Sequence, residues 1–143
     1  PRSRGLGDVY KRQGFKSYRL SESYYRQWKH IDDEDVHKVL QQSKLFVDSP
    51  LVDGYGEEGV VSEIAIKEGL DLHMKIQQDK GPLKPWIVEG ADKRIFVTFV
   101  DKVSQVDVKA LQLKETDVFV CFDSALDDST KVNLERVGNI KVM

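Results

Sequence analysis

The chain has 143 residues, 40% apolar and 32% charged, with a formal net charge of −2. Those proportions fit one domain of ordinary size, or a small domain with an attached piece. No apolar run approaches the ~20 residues of a membrane span, and Cys121 is the only cysteine. An internal disulfide and a cysteine-based zinc cluster are therefore excluded, and a reducing cytoplasm with no membrane partner is expected. Residues 1–13 carry Arg2, Arg4, Lys11 and Arg12 against Asp8 alone, leaving 18 basic and 23 acidic residues, a net of −5, in the rest. A domain that grips nucleic acid by itself carries a basic face, which this balance disfavours.

Residues 1–13, PRSRGLGDVYKRQ, show neither helical nor strand periodicity, lack an initiator Met, and hold no apolar core of a signal peptide. Ser3–Gln13 resembles the in-frame translation of a sequencing-library adaptor. On that expectation 1–13 are not native, natural sequence begins near Gly14, and the remainder is the C-terminal part of a longer protein.

Gly14–Leu20, GFKSYRL, predicts a short strand, and Ser21 suits the cap of a short turn through Tyr24, Tyr25 and Trp28. These aromatics interleave with Lys16, Arg19, Arg26 and Lys29. Base stacking produces such a pattern, but an aromatic cluster packing a strand onto its sheet is the preferred reading. After the acidic run Ile31–Asp35, Glu34–Ser43 places Val36, Val39 and Leu40 at helical spacing. His37 has no His or Cys at i+3 or i+4 to make a metal pair, and reads as a surface residue. Asp48–Gly59, with one Pro and three Gly, reads as a loop. Its Gly54-Tyr-Gly56 is not a nucleotide loop, because only Leu51 and Val52 precede it and Glu57 and Glu58 sit where an anion would go.

Glu58–Glu68 is the clearest helix: Val60, Val61, Ile64 and Ala65 share a face, Glu57 and Glu58 suit its N-terminus, and Gly69-Leu70 suits a Schellman ending. Leu72–Gln78 and Trp86–Glu89 predict strands around Gly81–Pro85, whose prolines confine this part to an edge or connection. Trp86–Val88, the turn Gly90-Ala91-Asp92 and Ile95–Val100 predict an antiparallel hairpin. Ser104–Leu113 alternates enough to allow a strand. The crossover to a buried strand favours a helix, with Val106, Ala110 and Leu113 as its apolar positions. Asp117–Phe122 is continuously apolar from Val118, as in a strand covered on both faces, with Cys121 as a small buried residue. Asp127 or Asp128 caps a helix reaching Val137, Gly138 ends it, and Asn139–Met143 supplies a last strand.

The turn Asp123–Asp128 after the buried strand is where α/β proteins often place a site. Magnesium and phosphotransfer sites commonly use acids one residue apart, but two after Asp123 comes Ala125. Ser124 is a possible nucleophile, though His30, His37 and His73 all lie upstream of it. Capping requires less: Asp123 closes the strand, and Asp127 or Asp128 accepts the orphan amides of the helix. Asp123, Ser124, Asp127 and Asp128 are thus the candidate partner-contact or structural turn. No catalytic, cofactor-binding or metal residue is assigned.

Gly14-Phe15, Leu20, Ser23, Tyr24-Tyr25 and Trp28, then Glu63–Leu72, then Phe122–Asp128 together resemble the C-terminal end of site-specific DNA-methyltransferases. More narrowly, they resemble the modification (Mod) subunit of type III restriction–modification systems. The resemblance spans essentially Gly14–Met143, and its last motif is the most specific. It implies a parent enzyme that methylates N6 of adenine in DNA with S-adenosylmethionine, in a Mod dimer that also binds a restriction (Res) subunit. The family's Asp-Pro-Pro-Tyr and Gly-rich cofactor loops have no match here, so none of its catalytic or cofactor residues transfers and the fragment itself holds no cofactor. The fold class expected is α/β (α+β): the end of a methyltransferase sheet at 14–28, a helical connector at 29–82, and a β-β-α-β-α-β domain at 83–143. The alternative is a free-standing small α/β enzyme, or a protein-interaction domain, using the Asp123–Asp128 turn.

Overall fold

A computed structural model describes residues 16–28 and 35–143. Its elements are α1 (Val36–Asp48), α2 (Glu57–Lys67), β1 (Lys75–Gln78), β2 (Trp86–Glu89), β3 (Arg94–Val97), α3 (Gln105–Ala110), β4 (Val118–Cys121), a 3-10 turn (Asp123–Ala125), α4 (Asp128–Glu135) and β5 (Asn139–Val142). The five strands form one mixed sheet in the order β1-β2-β3-β4-β5. β1, β2 and β3 pair antiparallel, whereas β3, β4 and β5 pair parallel. The protein is thus of the mixed α/β class.

Side-chain alternation along the strands divides the core into two layers. Ile95, Val97, Val118 and Val120 pack with Val60, Val61, Ile64 and Ala65 of α2 on one face. Phe96, Phe119 and Cys121 pack with Val108 of α3 and Leu134 of α4 on the other. β4 is buried at all four positions, which explains its unbroken apolar sequence. α3 and α4 cross over on the same side because successive parallel strands are neighbours in the sheet.

The helix ends follow their local chemistry. Ser104 and Asp127 each accept a backbone N–H three residues on, from Asp107 and Thr130. α2 ends in a full Schellman motif: Leu70 N–H donates to Ala65 O, Gly69 N–H donates to Ile66 O, and Gly69 adopts φ +84°. Leu70 then lies over Gly90, where an added Cβ would stand 2.9 Å from its side chain, so the β2–β3 turn needs a glycine there.

Several expectations are corrected. Lys16–Leu20 forms no strand, since it is held by side chains: Lys16 donates to Met74 O, and the Tyr18 hydroxyl to Leu72 O at 2.6 Å. Gly14 and Phe15, like residues 1–13 and most of the acidic run at 31–35, lie outside the described residues. Ser21 caps no turn; the chain there is irregular, bends at Tyr24, and Tyr25 bridges Leu51 antiparallel. α1 starts at Val36, capped by Asp35, and runs to Asp48, so the expected loop is shorter at both ends. Val36 and Leu40 are 63% and 60% exposed, which makes their stripe an open face and not a core face. In α3 the buried position is Val108, while Val106 and Ala110 face outward, because Val103 and Val108 supply the contact with Phe119 and Leu134. As expected, β1 is an edge strand, hydrogen-bonded to β2.

Candidate functional site

β4 leaves the sheet through Phe122, still extended, and the chain tightens at once into the turn Asp123–Ala125. Ala125 N–H donates to Phe122 O at 3.0 Å and Leu126 N–H to Asp123 O at 3.2 Å. Ala125 is buried, and its carbonyl accepts from Val103 N–H at 2.9 Å, which ties the turn to the entry of α3. Small size at position 125 thus serves packing, whereas a metal-binding pair would require an acid there.

All four candidate residues, Asp123, Ser124, Asp127 and Asp128, are exposed. Asp127 Oδ1 accepts from Thr130 N–H at 2.6 Å and from Ser129 Oγ at 2.9 Å. These hydrogen bonds, those of Thr130 foremost, hold its carboxyl below the ordinary value. Asp123 accepts from Lys131 Nζ at 2.8 Å, an open ion pair that raises the lysine. Asp128 lies in the first turn of α4, where its charge faces the positive end of the helix. No histidine is hydrogen-bonded to Ser124 among the described residues, and His73 lies in the turn before β1, at the far edge of the sheet. No group of three or more His, Cys, Asp or Glu side chains converges on a metal position among the described residues. Burial pushes the Cys121 thiol up to about 12, with Asp123 adding to the shift, so it stays protonated at neutral pH.

Sheet topology gives the turn no switch-point crevice. Open α/β sheets bind ligands where strand order reverses and successive crossovers part to opposite faces. Here the order never reverses, and α3 and α4 lie together.

The most deeply buried carboxylate among the described ion pairs lies at the other end of β4. Asp117 is 1% exposed and accepts from Arg94 Nε at 3.2 Å, Arg94 Nη2 at 2.5 Å and Lys114 N–H at 2.9 Å. Burial alone would raise its carboxyl, but the bonds from Arg94 and Lys114 and the guanidinium charge outweigh it and hold it below the ordinary value. Sequence reasoning missed this pair. The only signal was an acid just before an apolar run, and Arg94 becomes its neighbour only through the parallel register Ile95↔Val118.

A second missed cluster fastens the segment 16–28 to α2. Glu63 accepts from Ser23 Oγ at 2.5 Å and Tyr24 N–H at 2.9 Å, and also pairs with Lys67 at 2.8 Å. The Tyr24 ring covers Gly59, where a Cβ would come within 2.5 Å of it, and Lys67 Nζ stands 4.2 Å from the Tyr25 ring centroid. Arg26 donates to Ser49 O at 2.6 Å and to Asp53 at 2.9 Å.

No family model, curated protein or solved structure matches the chain. Among the described residues, no helix is long and apolar enough to cross a membrane.

Proposed function

We propose that the chain is the C-terminal assembly region of a DNA adenine-N6 methyltransferase of a restriction–modification system, similar to the type III Mod subunit and not catalytic by itself. The observation that carries this function is the motif series ending in Phe-Asp-Ser-Ala-Leu-Asp-Asp at Phe122–Asp128. Further support comes from how those acids are used. Asp127 serves its own helix and Asp123 a surface lysine, a use that suits the supporting end of an enzyme. In this function S-adenosylmethionine and the DNA target belong to upstream regions of the parent, and the parent's partners are a second Mod chain and a Res subunit, in the cytoplasm.

Sequencing the gene upstream of the codon for Gly14 tests the proposal. An in-frame extension encoding an Asp-Pro-Pro-Tyr loop and a Gly-rich cofactor loop is expected; a start codon directly before Gly14 would overturn it. Calorimetric titration of the chain with S-adenosylmethionine is expected to show no binding, and saturable binding would refute the assignment of the cofactor to the missing part.

A further inference from the structure

At the carboxyl ends of β3 and β4, three half-buried aromatic rings converge from separate segments. Tyr55 precedes α2, Phe99 follows β3 and Phe122 follows β4; the centroids of Tyr55 and Phe99 are 5.7 Å apart, and those of Phe99 and Phe122 6.1 Å. Carboxylates border this patch. Glu57 accepts from the Trp86 indole N–H at 2.9 Å, and Asp101 lies two residues beyond Phe99. Burial first, then the charges of Glu57 and Asp101, raise the Tyr55 hydroxyl, so both carboxylates lie within electrostatic reach of it. Neither forms a salt bridge among the described residues. The nearby cation Lys131 is engaged by Asp123, and Lys102 acts on Asp127.

We propose that the Tyr55, Phe99 and Phe122 rings, with the Glu57 and Asp101 carboxylates, receive an arginine side chain presented by a partner protein. Aromatic faces attract a cation through their quadrupole. A guanidinium is the cation of choice, because its flat face stacks on rings while its edge donates to carboxylates. A purely apolar occupant would cover the Glu57 and Asp101 charges without pairing them with a cation, at a desolvation cost. Nucleic acid would bring phosphates toward two carboxylates, with Lys131 and Lys102 already facing Asp123 and Asp127. Charge complementarity therefore selects a basic protein segment. The inference goes beyond the methyltransferase proposal and does not depend on it.

Titration of the isotopically labelled chain with acetyl-Gly-Arg-Gly-amide, followed by NMR, tests it. Saturable shifts of the Tyr55, Phe99, Phe122 and Trp86 ring signals are expected, weakening as salt is added. The same peptide with neutral citrulline in place of arginine is expected to bind about tenfold more weakly or less. Glu57→Gln combined with Asp101→Asn changes exposed positions only and is expected to abolish saturation, whereas Asp92→Asn, on the β2–β3 turn, leaves it intact. Equal binding of the citrulline peptide, equal binding by the double variant, or no saturation with the arginine peptide would each overturn the proposal.

Discussion

β4 has an acid at each end, and the two do opposite work. Asp117, at its amino end, is buried, shares three donors and joins β3 to β4. Asp123, at its carboxyl end, is 62% exposed at the side chain and meets one lysine directly, at the open surface. The difference comes from what surrounds each carboxylate. In a medium stripped of water, a charge that loses its partner has nothing to replace it; at the surface, solvent substitutes for a lost lysine. The end of the strand that looks like a site is the end where a carboxylate matters least to the fold.

The largest effect should come from breaking the buried end. Asp117→Ala strands Arg94, whose side chain remains 31% exposed, and should cost about 3 kcal/mol by urea denaturation. A loss near zero would mean that the strand pairing holds without the ion pair. Next comes its pH dependence. Because the folded carboxyl of Asp117 lies below its unfolded value, its contribution is present above the unfolded pKa of about 3.9 and is lost as pH falls through the folded value. The stability gap between the parent and Asp117→Asn should therefore stay constant from neutral pH down to about 5 and close below about 4. An unchanged gap at lower pH would show that the carboxylate is not what titrates.

At the exposed end the effects should be smaller. Asp127→Ala removes the cap of α4, so helicity and denaturation midpoint should fall, by less than for Asp117→Ala, with Asp127→Asn restoring most of the loss. Smallest of all, Asp123→Ala and Lys131→Ala should leave the unfolding midpoint unchanged, since an open ion pair contributes little. A midpoint shift from Asp123→Ala as large as that from Asp117→Ala would erase the distinction between the two ends.

Much of the local architecture was legible. The four apolar residues of β4, the Gly-Leu ending of α2 and the acid before Thr130 each specify backbone through neighbours only a few residues away. The six elements from Trp86 onward occur in their expected order for that reason. The segment 16–28 was not legible, because its conformation depends on carbonyls at Leu72 and Met74 and a carboxylate at Glu63. Its strand-like composition could not report partners 39 to 58 residues away. The aromatic patch was equally hidden, since Tyr55, Phe99 and Phe122 come from three segments without a common period.

By itself, the sequence determined which stretches are helix and strand over most of the C-terminal half, and that the acids after β4 are spaced for capping. Those properties rest on hydrogen bonds and apolar periodicity within one element. Only the tertiary structure decided that Asp117 outweighs Asp123, because burial and the Arg94 register arise when β3 and β4 lie side by side. It also decided that Asp123–Asp128 stands at no switch point of the sheet. An unreversed strand order keeps α3 and α4 on one face, and strand order is a property of the assembled sheet.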